Sequence, residues 1–273
     1  MLDSHFSEKK ASGTSGDDRA VGQVPAPHQD PAKKPVLIVL HQENSNPGHV
    51  GQWFVRNGYP LDIRKPRFGD ALPATMAHHC GAVIFGGPMS ANDKDAFIGT
   101  EIDWIGMTLK ERAPFLGICL GAQMLAIQLD AKVGFDPQDR AEIGYYPLVT
   151  TEDGCRLGAF PDHVYQWHRE GCELPRGAQL LATANGAFPV QAFAYGPAAV
   201  GVQFHPEITF AQVHRWTGNN NTRLQMKGAC ERQQHIDGHV MHAPKVQAWL
   251  GGFLDRWARN KLSHVRDSAL VNS

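Results

Sequence analysis

In the stretch FLGICLGAQ, Cys119 stands between Gly117 and Gly121, at the end of an apolar run and ahead of the helix-like AQMLAIQL. A strand that turns sharply into a helix calls for this spacing. The turn forces its middle residue into a strained backbone conformation, and glycines two positions to either side let strand and helix pass closely. The side chain held at such an elbow stands away from the sheet, and here it is a thiol. A helix N-terminus favours thiolate over thiol, and Leu120 N–H points toward the oxygen that becomes negative when a carbonyl is attacked. An inert core cysteine is the alternative; the flanking glycines argue against it.

A thiol nucleophile needs a base. AVGVQFHPE places His205 and Glu207 two positions apart, which predicts the same side of an extended strand, with Pro206 keeping the segment extended. So arranged, His205 takes the thiol proton and later returns one to the leaving group, while Glu207 holds the imidazole tautomer and stabilises its charged form. Alone, a His-x-Glu pair is as readily a surface or capping pair. Its occurrence together with the elbow points to catalysis.

These residues must be held by a sheet. PVLIVL (35–40), GAVIFGG (81–87) and APFLGIC (113–119) are apolar without polar alternation, as in strands covered on both faces by helices. Between the last two, Phe97, Ile98, Ile102, Ile105 and Leu109 recur at helical spacing. Strand, helix, strand implies a parallel, right-handed crossover. After Lys132 come shorter β-like runs, IGYYPLVTT, VYQWH, QLLATA, VQAFAYG and AAVGVQFH, read as the second half of the same domain. Near the C-terminus, Val246, Trp249, Leu250, Phe253, Leu254 and Trp257 form a stripe expected to pack on the core. His235, His239 and His242 have spacings that could share a helix face, but Gly238 weakens that helix and no metal is expected.

The 273 residues suit one large α/β domain: residues 35–260, preceded by a polar tail over 1–34 and followed by a short tail over 261–273. With 42% hydrophobic and 19% charged residues and a net charge of −1, the chain is neither disordered throughout nor drawn to nucleic acid. Five scattered cysteines, Cys80, Cys119, Cys155, Cys172 and Cys230, read as a reducing, cytoplasmic protein. The opening MLDSHFSEKK lacks the apolar run of a signal peptide, and no stretch is long enough to span a bilayer, so no membrane association is expected.

The G-x-C-x-G-x-Q elbow and the downstream H-P-E together resemble the triad, or class I, glutamine amidotransferase family, over approximately residues 35–210, most closely stand-alone members similar to the glutaminase domain of GMP synthetase. The resemblance implies an α/β fold with a mostly parallel, flavodoxin-like central sheet flanked by helices, and hydrolysis of the glutamine side-chain amide to glutamate and ammonia. It implies a thioester on Cys119 and no cofactor. It also places Gly87 N–H, from IFGGPMSAND, beside Leu120 N–H in the oxyanion hole, with Gly86 and Gln123 among the substrate-binding residues. Trp167, His168 and Arg169 match a segment whose backbone grips the substrate's α-carboxylate and α-amino groups. Many relatives carry Gly where this chain has Arg169, so the donor stays open between glutamine and a γ-glutamyl compound cleaved by a hydrolase or peptidase. No phosphate-binding loop of the G-x-x-x-x-G-K-[ST] type occurs, so the ammonia acceptor is expected on a separate synthetase subunit. A non-catalytic regulatory relative is a further alternative.

Overall fold

Val36–Val39 (β1) is apolar and buried at every position. A strand with no solvent face needs a neighbour on each edge and a layer on each side. The computed structural model, which describes residues 30, 32–218 and 221–262, supplies both. In chain order there follow α1 (Gly48–Arg56), β2 (Leu61–Arg64), β3 (Gly81–Ile84), α2 (Ala96–Lys110), β4 (Phe115–Ile118) and α3 (Leu120–Gln128). The second half adds β5 (Val133–Phe135), β6 (Glu142–Pro147), β7 (Val149–Thr150), α4 (Glu152–Arg156) and β8 (His163–His168). Then come β9 (Glu170–Cys172), β10 (Gln179–Thr183), β11 (Val190–Tyr195), β12 (Ala199–Val202), α5 (Phe210–Trp216) and α6 (Arg232–Ala258).

Eight strands form one sheet in the order β2-β1-β3-β4-β12-β11-β10-β7. β2, β1, β3, β4 and β12 run parallel, and β11, β10 and β7 extend the sheet in alternating, antiparallel directions. This is the mostly parallel, helix-flanked α/β sheet expected from the sequence. Successive side chains of a strand point to opposite faces, so the sheet carries two cores. Leu37, Val39, Ala82 and Ile84 pack with α2 and α3, while Val36, Ile38, Val83 and Leu116 pack with α1 and the C-terminal half of α6. On α6, Val246, Leu250, Phe253, Leu254 and Trp257 are buried as expected and Trp249 partly so, each large side chain contributing about 1.5–3 kcal/mol.

The helix through His235, His239 and His242 runs unbroken past Gly238. A Cβ at Gly238 would lie 2.6 Å from the Tyr145 ring, so the glycine lets α6 approach β6 closely. Two small antiparallel sheets, β6 with β8 and β5 with β9, present the segment around Trp167–Glu170 to the end of the main sheet. Of the expected tails, residues 1–29, 31 and 263–273 lie outside the described residues. Asp30 N–H donates to the Gly58 carbonyl at 3.1 Å, Lys33 Nζ to that of Asn57 at 2.7 Å, and Leu262 is buried in the core, so these three belong to the packed structure. Among the described residues no helix is long and apolar enough to cross a membrane.

Candidate active site

β4 ends at Ile118, α3 begins at Leu120, and Cys119 between them has φ 51° and ψ −103°. A side chain in this region is strained, and the surroundings must over-determine it. They do so through close packing. A Cβ on Gly117 would meet the Gly121 backbone at 2.5 Å, and one on Gly121 would meet the Ile84 carbonyl oxygen at 2.2 Å. Cys119 N–H donates to the Val202 carbonyl at 2.8 Å, tying the elbow to β12. Cys119 is 5% exposed, at the carboxyl ends of parallel strands where open α/β sheets place their ligands.

His205 follows β12, and its Nδ1 lies 2.7 Å from Glu207 Oε1, with both side chains buried. The expected extended strand is not what brings them together. β12 stops at Val202, and His205-Pro206-Glu207-Ile208 forms a turn in which Ile208 N–H donates to the His205 carbonyl at 3.4 Å. Pro206 has no N–H for a ladder and its fixed φ suits the second position of a turn. The imidazole stands edge-on to Trp216, with ring centroids 5.1 Å apart. Gly86 leaves space for it: a Cβ there would sit 2.8 Å from His205 Cε1 and 3.5 Å from Cys119 Cβ. Burial pulls the imidazole toward neutrality, but the Glu207 carboxylate and the Cys119 thiol outweigh it and push its pKa up to about 10. His205 Nε2 is buried with no hydrogen-bond partner of ordinary geometry.

A cleft of about 660 Å³ opens over these groups, bordered by Gly86, Gly87, Trp167, Arg67, Arg215 and Arg223. It adjoins a recess of about 30 Å³ that Cys119, Leu120 and Gly87 share with Gln123, His168 and Arg169. The sequence-predicted residues are therefore gathered around one thiol, though not all face it. Gln123 is buried and donates its Nε2 to the Glu170 carbonyl at 2.8 Å and to Gln203 Oε1 at 3.2 Å. His168 spends Nδ1 on the Glu170 carbonyl at 3.0 Å and Nε2 on Gln166 Oε1 at 3.1 Å, close to Glu142. Glu170 itself accepts from Ser90 Oγ at 2.9 Å. These side chains brace the 167–170 backbone. Arg169 lies over the Phe135 ring, 5.1 Å from its centroid.

Sequence reasoning missed Arg223, which shares both cavities with Cys119. Burial lowers its pKa, and the nearby Arg169 charge lowers it further while Cys119 acts in the opposite direction. No motif marks it, because a short helical turn at Thr222–Gln225 carries it in from beyond the recognisable segment. Also unflagged is His41, completely buried under Gly86 and paired with Glu101.

The three histidines of α6 do not converge. His235 meets Tyr165 Oη, His239 meets Tyr145 Oη, and His242 stacks on His163 at 4.3 Å. Asp162, His163 and His242 do bring ligand-type atoms within 4.8 Å of one another. Imidazole lone pairs lie in the ring plane, so two rings tilted by only 13° aim them nearly parallel rather than at one ion. Asp162 is moreover already paired with Lys245 at 2.9 Å. All five cysteines are free, and burial pushes the Cys80 and Cys172 thiols up to about 12.

Residues 54–221 match the family described as Glutamine amidotransferase class-I. The glutamine amidotransferase-like protein YfeJ of Salmonella typhimurium is 31% identical over 188 residues, which cover 65% of this chain and 77% of that protein. The glutamine-hydrolyzing GMP synthase of Pediococcus pentosaceus is 33% identical over 197 residues, 70% of this chain but only 36% of the synthase. Among solved structures, a glutamine amidotransferase of Thermotoga maritima superposes with a TM-score of 0.74 at 30% identity, covering 82% of this chain and 98% of that one. One from Methylobacillus flagellatus gives 0.76 at 25% identity over 84% and 96%.

Proposed function

The chain belongs to the class I glutamine amidotransferase family, and from that premise we propose that it hydrolyses the side-chain amide of glutamine to glutamate and ammonia through a γ-glutamyl thioester on Cys119. The observation that carries this reading is the meeting of the strained Cys119 with the His205–Glu207 pair around Gly86, three segments distant in sequence. Glu207 occupies Nδ1, which leaves Nε2 as the nitrogen able to exchange a proton with substrate. Cys119 Sγ attacks the amide carbon while its proton resides on His205, and the carbonyl oxygen, now negative, accepts from Gly87 N–H and Leu120 N–H. The C–N bond then breaks as His205 protonates the departing ammonia. Water attacks the thioester, gives a proton to His205, and glutamate leaves as the C–S bond breaks.

The GMP synthase match covers about a third of that enzyme, and the ammonia acceptor is proposed to sit on a separate synthetase subunit. A nucleophile that works as a thiolate, with five free cysteines, fits the reducing cytoplasm. A second reading, a γ-glutamyl hydrolase or peptidase using the same thioester, is favoured by one feature. Arg169 and Arg223 both border the recess at Cys119, and neither has a carboxylate partner among the described residues. Guanidinium groups so placed suit the extra carboxylate of a γ-glutamyl peptide. The deciding measurement is release of glutamate and ammonia from glutamine, beside release of amino acid from a γ-glutamyl dipeptide. Wild type that turns over neither donor would end both readings.

A further inference from the structure

His41 stands just past β1 and Glu101 on the second turn of α2, and both are 0% exposed. His41 Nε2 lies 2.9 Å from Glu101 Oε2, and His41 Nδ1 lies 3.2 Å from the Gly86 carbonyl oxygen. Such a pair is costly to bury and adds little stability over apolar packing of the same shape. It therefore asks for a purpose, and the Gly86 contact supplies one.

Proton counting settles which way the ring is set. A backbone carbonyl only accepts, so Nδ1 carries hydrogen. One more proton lies between Nε2 and Glu101, on one partner or the other, and in either arrangement Nδ1–H remains a donor. Glu101 thus anchors Nε2 and fixes the ring's rotation, so that Nδ1 keeps facing the Gly86 carbonyl.

The carbonyl so held belongs to the Gly86–Gly87 peptide, and no peptide bond among the described residues is cis. In a trans peptide the C=O and the following N–H point in opposite directions. Fixing the Gly86 oxygen toward His41 therefore turns Gly87 N–H the other way. Gly87 borders both cavities at Cys119, and its N–H donates to no protein group among the described residues. With no side chain on either residue, this peptide meets little steric resistance to rotation. Neither glycine is there for its φ; each is there for space, since a Cβ on Gly87 would press at 3.0 Å on Leu120 Cδ2 and at 3.1 Å on His41 Cβ.

We propose that the buried His41–Glu101 pair is a positioning device, holding the Gly86 carbonyl so that Gly87 N–H stays turned into the cleft as an oxyanion donor beside Cys119. The proposal rests on the thioester reading above for its consequence in catalysis. His41 touches no reacting atom; it acts through the peptide.

The test uses two amides of different reach. The Asn amide nitrogen overlays Nδ1, so His41→Asn can still donate to Gly86; the Gln amide nitrogen overlays Nε2, so His41→Gln can serve Glu101 but leaves Gly86 unheld. Loss of one oxyanion donor lowers kcat by about 10²–10³-fold. His41→Gln is expected to lose that much kcat on glutamine with KM within about threefold, and His41→Asn to recover at least tenfold over it. Alkylation of Cys119 by chloroacetamide, a displacement at carbon that develops no oxyanion, is expected at the wild-type rate in both. Wild-type kcat in His41→Gln, or equal loss of kcat and alkylation, would overturn the proposal. Glu101→Leu, which removes the anchor at Nε2 and frees the ring to turn away from Gly86, serves if His41→Gln does not fold: a kcat loss of about tenfold with alkylation unchanged is expected, and no loss overturns it. The peptide can also be watched without any reaction. Gly-Gly occurs at 86–87 and 251–252, so carbonyl-¹³C, amide-¹⁵N glycine labelling isolates the Gly87 amide, with Gly252 as reference. Its signal should move in His41→Gln and return toward wild type in His41→Asn; an unmoved signal overturns the proposal even if the wild-type protein hydrolyses no glutamine.

Discussion

The floor of the cleft and its rim are built on different terms. On the floor, Cys119, His205 and Glu207 are at most 5% exposed, and each is held by backbone geometry or by a buried partner. On the rim, Arg67, Arg169 and Arg215 are exposed and Arg223 half-exposed, with no carboxylate partners among the described residues. Charges on the floor are desolvated and strongly coupled, so removing one disturbs the rest. Rim charges are screened by water and act nearly independently. A reaction needs the first kind of group and a choice among donors needs the second, so changes on the floor should alter kcat and changes on the rim should alter which substrate is taken.

The sharpest way to break this division is Cys119→Ala, which should abolish turnover of every donor. Cys119 alone should react rapidly with a glutamine-analogue electrophile, because burial pushes the Cys80 and Cys172 thiols far above neutral pH and the exposed Cys155 lies outside the substrate cleft. Mass spectrometry of the labelled protein checks this, and equal labelling of Cys155 or Cys172 would count against the elbow. Next in size, His205→Ala should lower kcat by about 10³-fold or more, since no other group can carry the proton. Glu207→Gln should cost less, because it orients and stabilises without transferring a proton.

A pH profile sharpens the same comparison. The His205 pKa is raised above 6.5, to about 10, so its imidazolium stabilises the folded protein fully below about 6.5. That contribution is lost as pH rises through about 10. The alkaline limb of kcat/KM should accordingly fall near pH 10, and Glu207→Gln, which removes the leading influence that raises the pKa, should move it to lower pH. An unmoved limb would show that Glu207 does not hold the imidazole.

On the rim, Arg169→Gly and Arg223→Ala should leave kcat on glutamine within a few-fold of wild type. Each should weaken use of a γ-glutamyl dipeptide by about 1–3 kcal/mol if a guanidinium binds its second carboxylate. Comparing kcat/KM on both donors decides between the two donor readings. A wild-type preference of tenfold or more for the dipeptide, lost in the variants, would favour the hydrolase. The smallest effect is expected from deleting residues 1–29, whose Ser, Gly, Asp and Pro content cannot support a packed core. A large fall in Tm would contradict this, and stopping at residue 29 keeps the docked Asp30 and Lys33.

The floor was legible because its signals are local. An elbow is a short-range backbone requirement, so Gly117, Cys119 and Gly121 can be read from nine consecutive residues, and His205 and Glu207 from three. Even there the means differed: a turn around Pro206, not a strand, joins the last two. The rim was barely legible. Arg169 could be found beside Trp167 and His168, but Arg223 arrives from a separate segment with no pattern of its own.

By itself the sequence determined the strands that are apolar on every position, the helix between them, the elbow and the histidine that must serve it. Each follows from steric or periodic rules acting over a few residues. Only the tertiary structure decided that Gln123 braces the 167–170 backbone through the Glu170 carbonyl. It also decided that Glu101, a charged residue on the buried face of α2, meets His41 beneath Gly86. Neither outcome is encoded by spacing, because a buried polar side chain is placed by whichever partner the packed sheet brings within 3 Å or so, and that partner lies 47 or 60 positions away.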